Sequence, residues 1–267
     1  MLGAIFGDIT GSIYEFDNVR NTDEVKLFDQ RGYFTDDTVM TLCVAKGLMS
    51  ADLKDEEVIK VSLINSMVEV GRKYPDCGYG NLFYHWIFSE EHEGYHSFGN
   101  GSAMRVSAVP YLAKSLSDCL RLAELSAVVS HDHPEGIIGA VAVAGAIYLA
   151  KEGADKEAIR SFVEGYYSLD EEMDSTIRSS GFDETCQGSV PKAIVIFLES
   201  DSFYDCIAKA IASGGDSDTI GAIAGSIAEA YYGIPQEVES FVWSKLDKRL
   251  KKILKDFNEY ISKEVRS

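Results

Sequence analysis

Positive charge is scarce in this chain: 25 lysines and arginines stand against 43 aspartates and glutamates, for a formal net charge of −18. So acidic a surface repels polyanions, which argues against nonspecific nucleic-acid binding. An anionic ligand would need local help from metal ions, helix N-termini or backbone amides. Cysteine pairing is also missing. The five cysteines, Cys43, Cys77, Cys119, Cys186 and Cys206, are scattered and form no C-x-x-C pair, so neither a disulfide framework nor a thiolate metal site is expected. Cys43, Cys119 and Cys206 fall in apolar helical patterns, the usual setting of a small buried thiol. No uncharged apolar run reaches bilayer-spanning length; the longest, Gly136 to Ala150, has 15 residues. The opening Met1-Leu2-Gly3-Ala4-Ile5-Phe6 lacks basic residues and meets Asp8 too soon for a secretory signal. These absences predict a reducing cytoplasm, with neither membrane nor nucleic acid as partner.

Proline is rare, with five in all, and no linker, repeat or low-complexity segment interrupts the chain. Strand-like alternation and hairpin turns are scarce as well. What is present is an apolar fraction of 46%, ample for a core, arranged at helical spacing. Helices are predicted over 37–49, 115–129 (capped by Ser115 or Ser117), 136–150, 155–166, 190–198 and 203–212. The segment 136–150 is apolar all round, as a helix surrounded by others would be. Val238, Phe241, Val242, Leu246, Leu250, Ile253, Phe257 and Ile261 share one stripe, predicting a single long C-terminal helix. Gly3, Gly7 and Gly11, four apart, line one helix face that permits close backbone packing. The expected architecture is one all-α domain, 1–267.

Two acidic clusters stand out. Phe34-Thr35-Asp36-Asp37-Thr38 precedes an apolar helix. It is open to two readings: a helix N-cap with acids at the positive helix end, or hard oxygen ligands for Mg²⁺ or Mn²⁺. Ser213-Gly214-Gly215-Asp216-Ser217-Asp218-Thr219 repeats that composition. Capping needs one acceptor, whereas this stretch supplies two carboxylates and a hydroxyl, and its Gly-Gly pair permits backbone angles that aim both acids at one point. Asp8 and Glu15, seven apart, are placed by the spacing on one helix face. A glycine-rich turn, Ser97 to Arg105, leads into a helix and offers amides to phosphate. In Ser130-His131-Asp132-His133-Pro134-Glu135 the two histidines lack the partners of a zinc site, leaving substrate-binding or capping roles.

These segments, in this order, resemble the ADP-ribosylglycohydrolase family: G-A-I-F-G-D-I-T-G-S-I-Y-E-F, F-T-D-D-T, G-N-G-S-A-M-R-V, S-H-D-H-P-E and G-G-D-S-D-T-I-G-A-I-A-G, spanning Gly3 to about Gly233. The resemblance implies a compact orthogonal helical bundle, with two Mg²⁺ (or Mn²⁺) ions held by Thr35, Asp36, Asp37, Asp216, Asp218 and Thr219. It implies catalytic roles for Glu15 and Asp37, adenine stacking by Phe98, and a diphosphate held by Ser97, Gly99, Asn100, Gly101 and Ser102. Met104, His131, Gly214 and Gly215 complete the substrate contacts, with His133 an alternative to His131. The implied reaction is hydrolysis at the anomeric carbon of an ADP-ribosylated protein or small ADP-ribose conjugate, releasing ADP-ribose. A catalytically silent homologue and a dinuclear-metal nucleotide phosphohydrolase are the alternatives. The aromatic-rich stretch between Asp76 and His96 matches no family role, and substrate preference is expected to reside there.

Overall fold

The computed structural model describes residues 1–169 and 181–264. Its described helices are α1 (Leu2–Gly11), α2 (Asp36–Met49), α3 (Glu56–Gly71), α4 (Asn81–Phe88), α5 (Gly101–Met104), α6 (Leu116–Val128), α7 (Pro134–Lys151), α8 (Lys156–Val163), α9 (Cys186–Leu198), α10 (Phe203–Ala212), α11 (Ser217–Tyr232), α12 (Gln236–Lys245) and α13 (Lys248–Glu264). Two 3-10 segments, Thr22–Glu24 and Val106–Tyr111, join them, and no strand occurs among the described residues. The fold is all-α, as the periodicity predicts. Buried apolar side chains from Met1 to Phe257 form one core.

The most extensively packed pair among the described helices is α1 against α11. Every residue of α1 is buried, and its glycine face meets the small residues of α11. A Cβ on Gly7 would lie 2.0 Å from the Gly221 carbonyl oxygen, and one on Gly3 2.2 Å from that of Gly225. Both are backbone contacts that no rotamer change relieves, so glycine here is a packing requirement. The same stripe runs to Gly11, where a Cβ would lie 2.4 Å from Asp218 Cα. The N-terminal helix thus sets the position of the second acidic cluster.

Helix α7 passes through the middle, against α5, α6, α8, α9 and α11. At 18 residues it is longer than the uncharged run inside it, and with a mean hydropathy of 1.3 it is long and apolar enough to cross a membrane. More than half of it is buried within the protein, the pattern of a core helix. Ser115 caps α6 by accepting from Asp118 N, and the helix predicted over 190–198 lies within α9.

The predicted single C-terminal helix is two. The chain breaks at Leu246, whose ψ of 147 is extended, and Asp247 Oδ1 accepts from Arg249 N and Leu250 N to start α13. The apolar stripe continues across the break because both helices bury it. Helix α8 ends at Val163, short of the predicted Tyr166. Helix α3 lies outside the predicted set, although Ile59, Leu63, Met67 and Val70 bury one face and Asp55 caps it.

Candidate active site

The site begins with Asp8, fully buried within α1. Its carboxylate accepts from Thr35 N at 3.0 Å, Thr35 Oγ1 at 2.8 Å and Thr38 N at 3.1 Å, and from Thr38 Oγ1. Burial pushes Asp8 up to about 6, while these hydrogen bonds oppose the rise. One acid of α1 therefore fixes the first turn of α2. Thr35 is the N-cap, accepting from Asp37 N at 3.3 Å. The capping reading holds for Thr35 and leaves Asp36 and Asp37 on the first turn.

The second cluster is aimed by its glycines. Gly214 and Gly215 have φ of +66° and +76°, open to glycine at little cost. The turn is braced from outside by Asn18, whose Oδ1 accepts from Gly215 N at 2.9 Å, and by Lys192, which donates to the Gly214 carbonyl at 3.1 Å. Asp216 then occupies the N-cap position of α11 without capping it. It instead accepts from Asn100 Nδ2 at 2.7 Å. Thr219 Oγ1 donates to Asp37 Oδ2 at 3.2 Å, so the two distant acidic loops meet directly.

Glu15 joins them by a different route from the one its spacing predicts. Helix α1 ends at Gly11, so Asp8 and Glu15 share no helix face. The turn after α1 carries Glu15 to Asp216 and Asp218, and one carboxylate oxygen from each of the three lies within 4.8 Å of the others.

These acids are electrostatically unfinished. Burial first, then mutual repulsion, raises Asp36, Asp37 and Asp216 well above the carboxylate range. Asp218 rises to about 7, and Glu15 to about 7 through burial and the charges of Asp216, Glu184 and Asp8. Asp37 Oδ1 is buried with no hydrogen-bond partner. An orphaned carboxylate oxygen in a pocket lined with oxygen donors fits a hard divalent cation, which supplies both the missing partner and the missing positive charge.

A cavity of about 490 Å³ opens over this wall. Thr35, Asp36, Asp37, Asp216, Asp218, Thr219 and Glu15 line it, as do Ser97, Gly99, Asn100, Gly101, Met104 and His131. Four predicted contacts lie elsewhere. Ser102 is fully buried and spends its hydroxyl on the Gly136 carbonyl at 2.6 Å. Phe98 is exposed, its ring 5.3 Å from that of His133 and outside the lining. Gly214 and Gly215 shape the turn from behind. The glycine-rich turn also offers fewer amides than expected: Gly99 N donates to Ser97 Oγ and Asn100 N to the Glu184 carbonyl.

The structure places the two histidines differently. His131 is buried and faces the cavity, whereas His133 caps α7 by accepting from Glu135 N at 3.1 Å. The stretch without a matched role supplies much of a further wall, through Asp76, Cys77, Gly78, Asn81, Leu82, Phe83 and Tyr95. Phe16 and Phe182, both strongly exposed, stack at 6.2 Å and also line the cavity. Arg105, buried beside His131, is a lining residue that sequence reasoning passed over as part of a helix start.

Comparison with known proteins shows the family and the fold. A family model described as ADP-ribosylglycohydrolase matches residues 1–265. ADP-ribosylhydrolase ARH3 of Homo sapiens is 28% identical, over 90% of this chain and 86% of the relative. ADP-ribosylarginine hydrolase Tri1 of Pseudomonas putida (strain GB-1) is 28% identical, over 96% of this chain and 76% of the relative. A solved structure described as an ADP-ribosylglycohydrolase-related protein complex superposes with a TM-score of 0.65 at 22% identity, covering 94% of each chain. That last likeness speaks for the fold.

Proposed function

Because the chain belongs to the ADP-ribosylglycohydrolase family, we propose that it hydrolyses the glycosidic bond at the anomeric carbon of ADP-ribose conjugates and releases ADP-ribose. The names of both curated relatives describe hydrolases of ADP-ribosyl groups. The observation that carries the reading is the convergence of Glu15, Asp216, Asp218 and the orphaned Asp37 Oδ1 in one cavity. Thr35, Asp36, Asp37, Asp216, Asp218 and Thr219, with Glu15 beside them, would hold two Mg²⁺ or Mn²⁺ ions. When bound, the ions supply Lewis acidity toward ribose hydroxyls and a lowered pKa for water.

The chain's own residues account for the rest. Glu15, half-buried beside Asp216 and Asp218, can take a proton from the attacking water. Asn100 holds Asp216 by one oxygen and so orients it. Positive charge develops on the sugar in an oxocarbenium-like transition state, and the surrounding carboxylates stabilise it. Met104, His131 and the Ser97–Gly101 turn form the substrate side. The five cysteines are free thiols, four of them buried, consistent with the reducing cytoplasm we assign to the protein.

The test is product analysis on a panel of ADP-ribosylated substrates (arginine, serine, acetate and polymer linkages) with Mg²⁺ or Mn²⁺. Free ADP-ribose is expected. AMP as the product would establish phosphohydrolysis instead, and binding without turnover across the panel would establish a silent homologue.

A further inference from the structure

Arg105 heads the fully buried side chains by volume. No carboxylate faces its guanidinium among the described residues; the groups that bear on its charge are Tyr95, Cys43 and Cys186. Burying an unpaired cation is costly unless hydrogen bonds compensate. Here Nη2 donates to the Ser126 carbonyl and to Ser130 Oγ, each at 2.8 Å, and the guanidinium lies 5.5 Å from the Phe83 ring centre, while Nε stays buried without a partner. Burial lowers Arg105 to about 10, which leaves it charged at neutral pH.

The chemistry of these donors settles a proton. A guanidinium only donates, so Ser130 Oγ must accept from Arg105 and direct its own hydrogen elsewhere. The neighbour within reach is His131 Nδ1, at 2.8 Å. Nδ1 is then an acceptor, and in a neutral ring the hydrogen resides on Nε2. Burial, with the charge of Arg105, holds His131 well below its ordinary pKa and therefore neutral. Nε2 lies over the glycine-rich turn: a Cβ on Gly101 would lie 3.0 Å from it, and one on Gly99 3.7 Å. Tyr95 and Phe83 pack their rings against the imidazole and keep it from turning, with centroids at 5.7 and 6.1 Å.

We propose that Arg105, acting through Ser130, fixes His131 as the tautomer with its hydrogen on Nε2, so that a preset hydrogen-bond donor points across the Gly99–Gly101 turn toward an oxygen of the ligand. Arg105 and Ser130 are positioning residues, and of the three it is His131 that touches the ligand. The ligand's identity as ADP-ribose rests on the functional reading above, whereas the tautomer does not.

The experiment is nitrogen-15 NMR of the imidazoles, of which the chain has five, in the full-length protein at neutral pH. Wild-type His131 should show a protonated Nε2 and an unprotonated Nδ1, and ADP-ribose should shift Nε2. Ser130→Ala and Arg105→Met should mix the two tautomers, while Arg105→Lys, still a donor-only cation, should retain the wild-type form. Losing the preset donor should weaken ADP-ribose binding about three- to tenfold. Arg105→Met leaves a large cavity-lining cation missing from the core; if it does not fold, Ser130→Ala, which removes one hydroxyl, carries the comparison. Wild-type His131 protonated on Nδ1 or on both nitrogens would overturn the proposal, as would an unchanged tautomer in folded Ser130→Ala. ADP-ribose binding without a shift at Nε2 would overturn the donor role. If ADP-ribose does not bind at all while the tautomer stands, the functional reading falls and the relay survives.

Discussion

The acidic wall of the cavity and the wall around His131 are finished in opposite ways. On the first, Glu15, Asp36, Asp37, Asp216 and Asp218 crowd together with raised pKa values, and one oxygen is left without a partner. On the second, a buried cation, a hydroxyl and an imidazole are linked in a chain of 2.8 Å hydrogen bonds that leaves Arg105 Nε without a partner. The first wall leaves a carboxylate oxygen free for the proposed ions; the second, Arg105 Nε apart, closes its hydrogen bonds from within. A wall that awaits ions carries repulsion in the free protein, whereas a preset donor carries none. The contrast separates the wall proposed to hold metal from the wall held by internal hydrogen bonding.

The strongest way to break it is Asp218→Asn. The amide keeps the shape and removes a negative charge from the crowded wall. Turnover and metal affinity should fall by orders of magnitude, while the Tm of the metal-free protein should rise because repulsion is relieved. Metal titration, steady-state kinetics and thermal melting measure all three. Unchanged metal affinity and kinetics would mean the acids are not a metal site.

A second test separates scaffold from site along one glycine stripe. Gly3→Ala and Gly11→Ala each force a Cβ against backbone, at 2.2 Å from Gly225 O and 2.4 Å from Asp218 Cα. Overpacking of this kind costs about 1–3 kcal/mol, so both variants should melt earlier. Only Gly11→Ala, which pushes on the first turn of α11, should also weaken metal binding. Equal metal affinity in the two variants would show that α1 does not set the geometry of the acidic wall.

Sequence pattern reached far along the helices and into the acidic wall. Most helices follow from apolar spacing, and the two acidic clusters from a composition that capping alone does not require. The break at Leu246–Asp247 was hidden because one apolar stripe runs through both helices. Glu15 was found for the wrong geometric reason, since helix periodicity cannot show that α1 stops at Gly11. Arg105 was invisible as a buried group: nothing in G-S-A-M-R-V marks an arginine that faces inward, and its partners Ser126 and Ser130 come from another helix end. Ser102 and Phe98 show the converse, residues inside a motif whose side chains lie outside the cavity lining.

The acidic wall should also announce itself through pH. Glu15 and Asp218 stand at about 7 in the metal-free fold, against about 4 in an unfolded chain. An acid that holds its proton more tightly when folded stabilises the protein below its unfolded pKa and loses that contribution as pH rises through the folded value. The metal-free Tm should therefore fall between about pH 4 and pH 8, on the order of 5 °C. Mg²⁺ or Mn²⁺ should restore it, with a gain that widens as pH rises. Thermal melts with and without metal across this window are the measurement, and a metal-free Tm that climbs toward pH 8 would contradict the repulsive wall.

The smallest expected effect is at Phe98, and it tests whether the metal-independent side reaches beyond the cavity lining. The ring is 47% exposed and rests edge-on against His133. Its backbone carbonyl accepts from Cys186 N, and the next residue, Gly99, bridges to Thr185, so the turn should keep its place without the ring. If Phe98 offers its open face to a base, Phe98→Ala removes one stacking surface, worth about 1–3 kcal/mol by comparison with base–aromatic stacking. The apparent KM should rise on the order of tenfold with kcat nearly unchanged, the mark of lost ground-state binding. Metal affinity should not move, because the ring lies outside the cavity lining that carries the acids. A fall in metal affinity would mean that the turn is coupled to the acidic wall, with Asn100, which donates to Asp216 at 2.7 Å, as the link. An unchanged KM would place the base against other aromatics of the cavity, with the exposed Phe16 and Phe182 pair the next surface to remove.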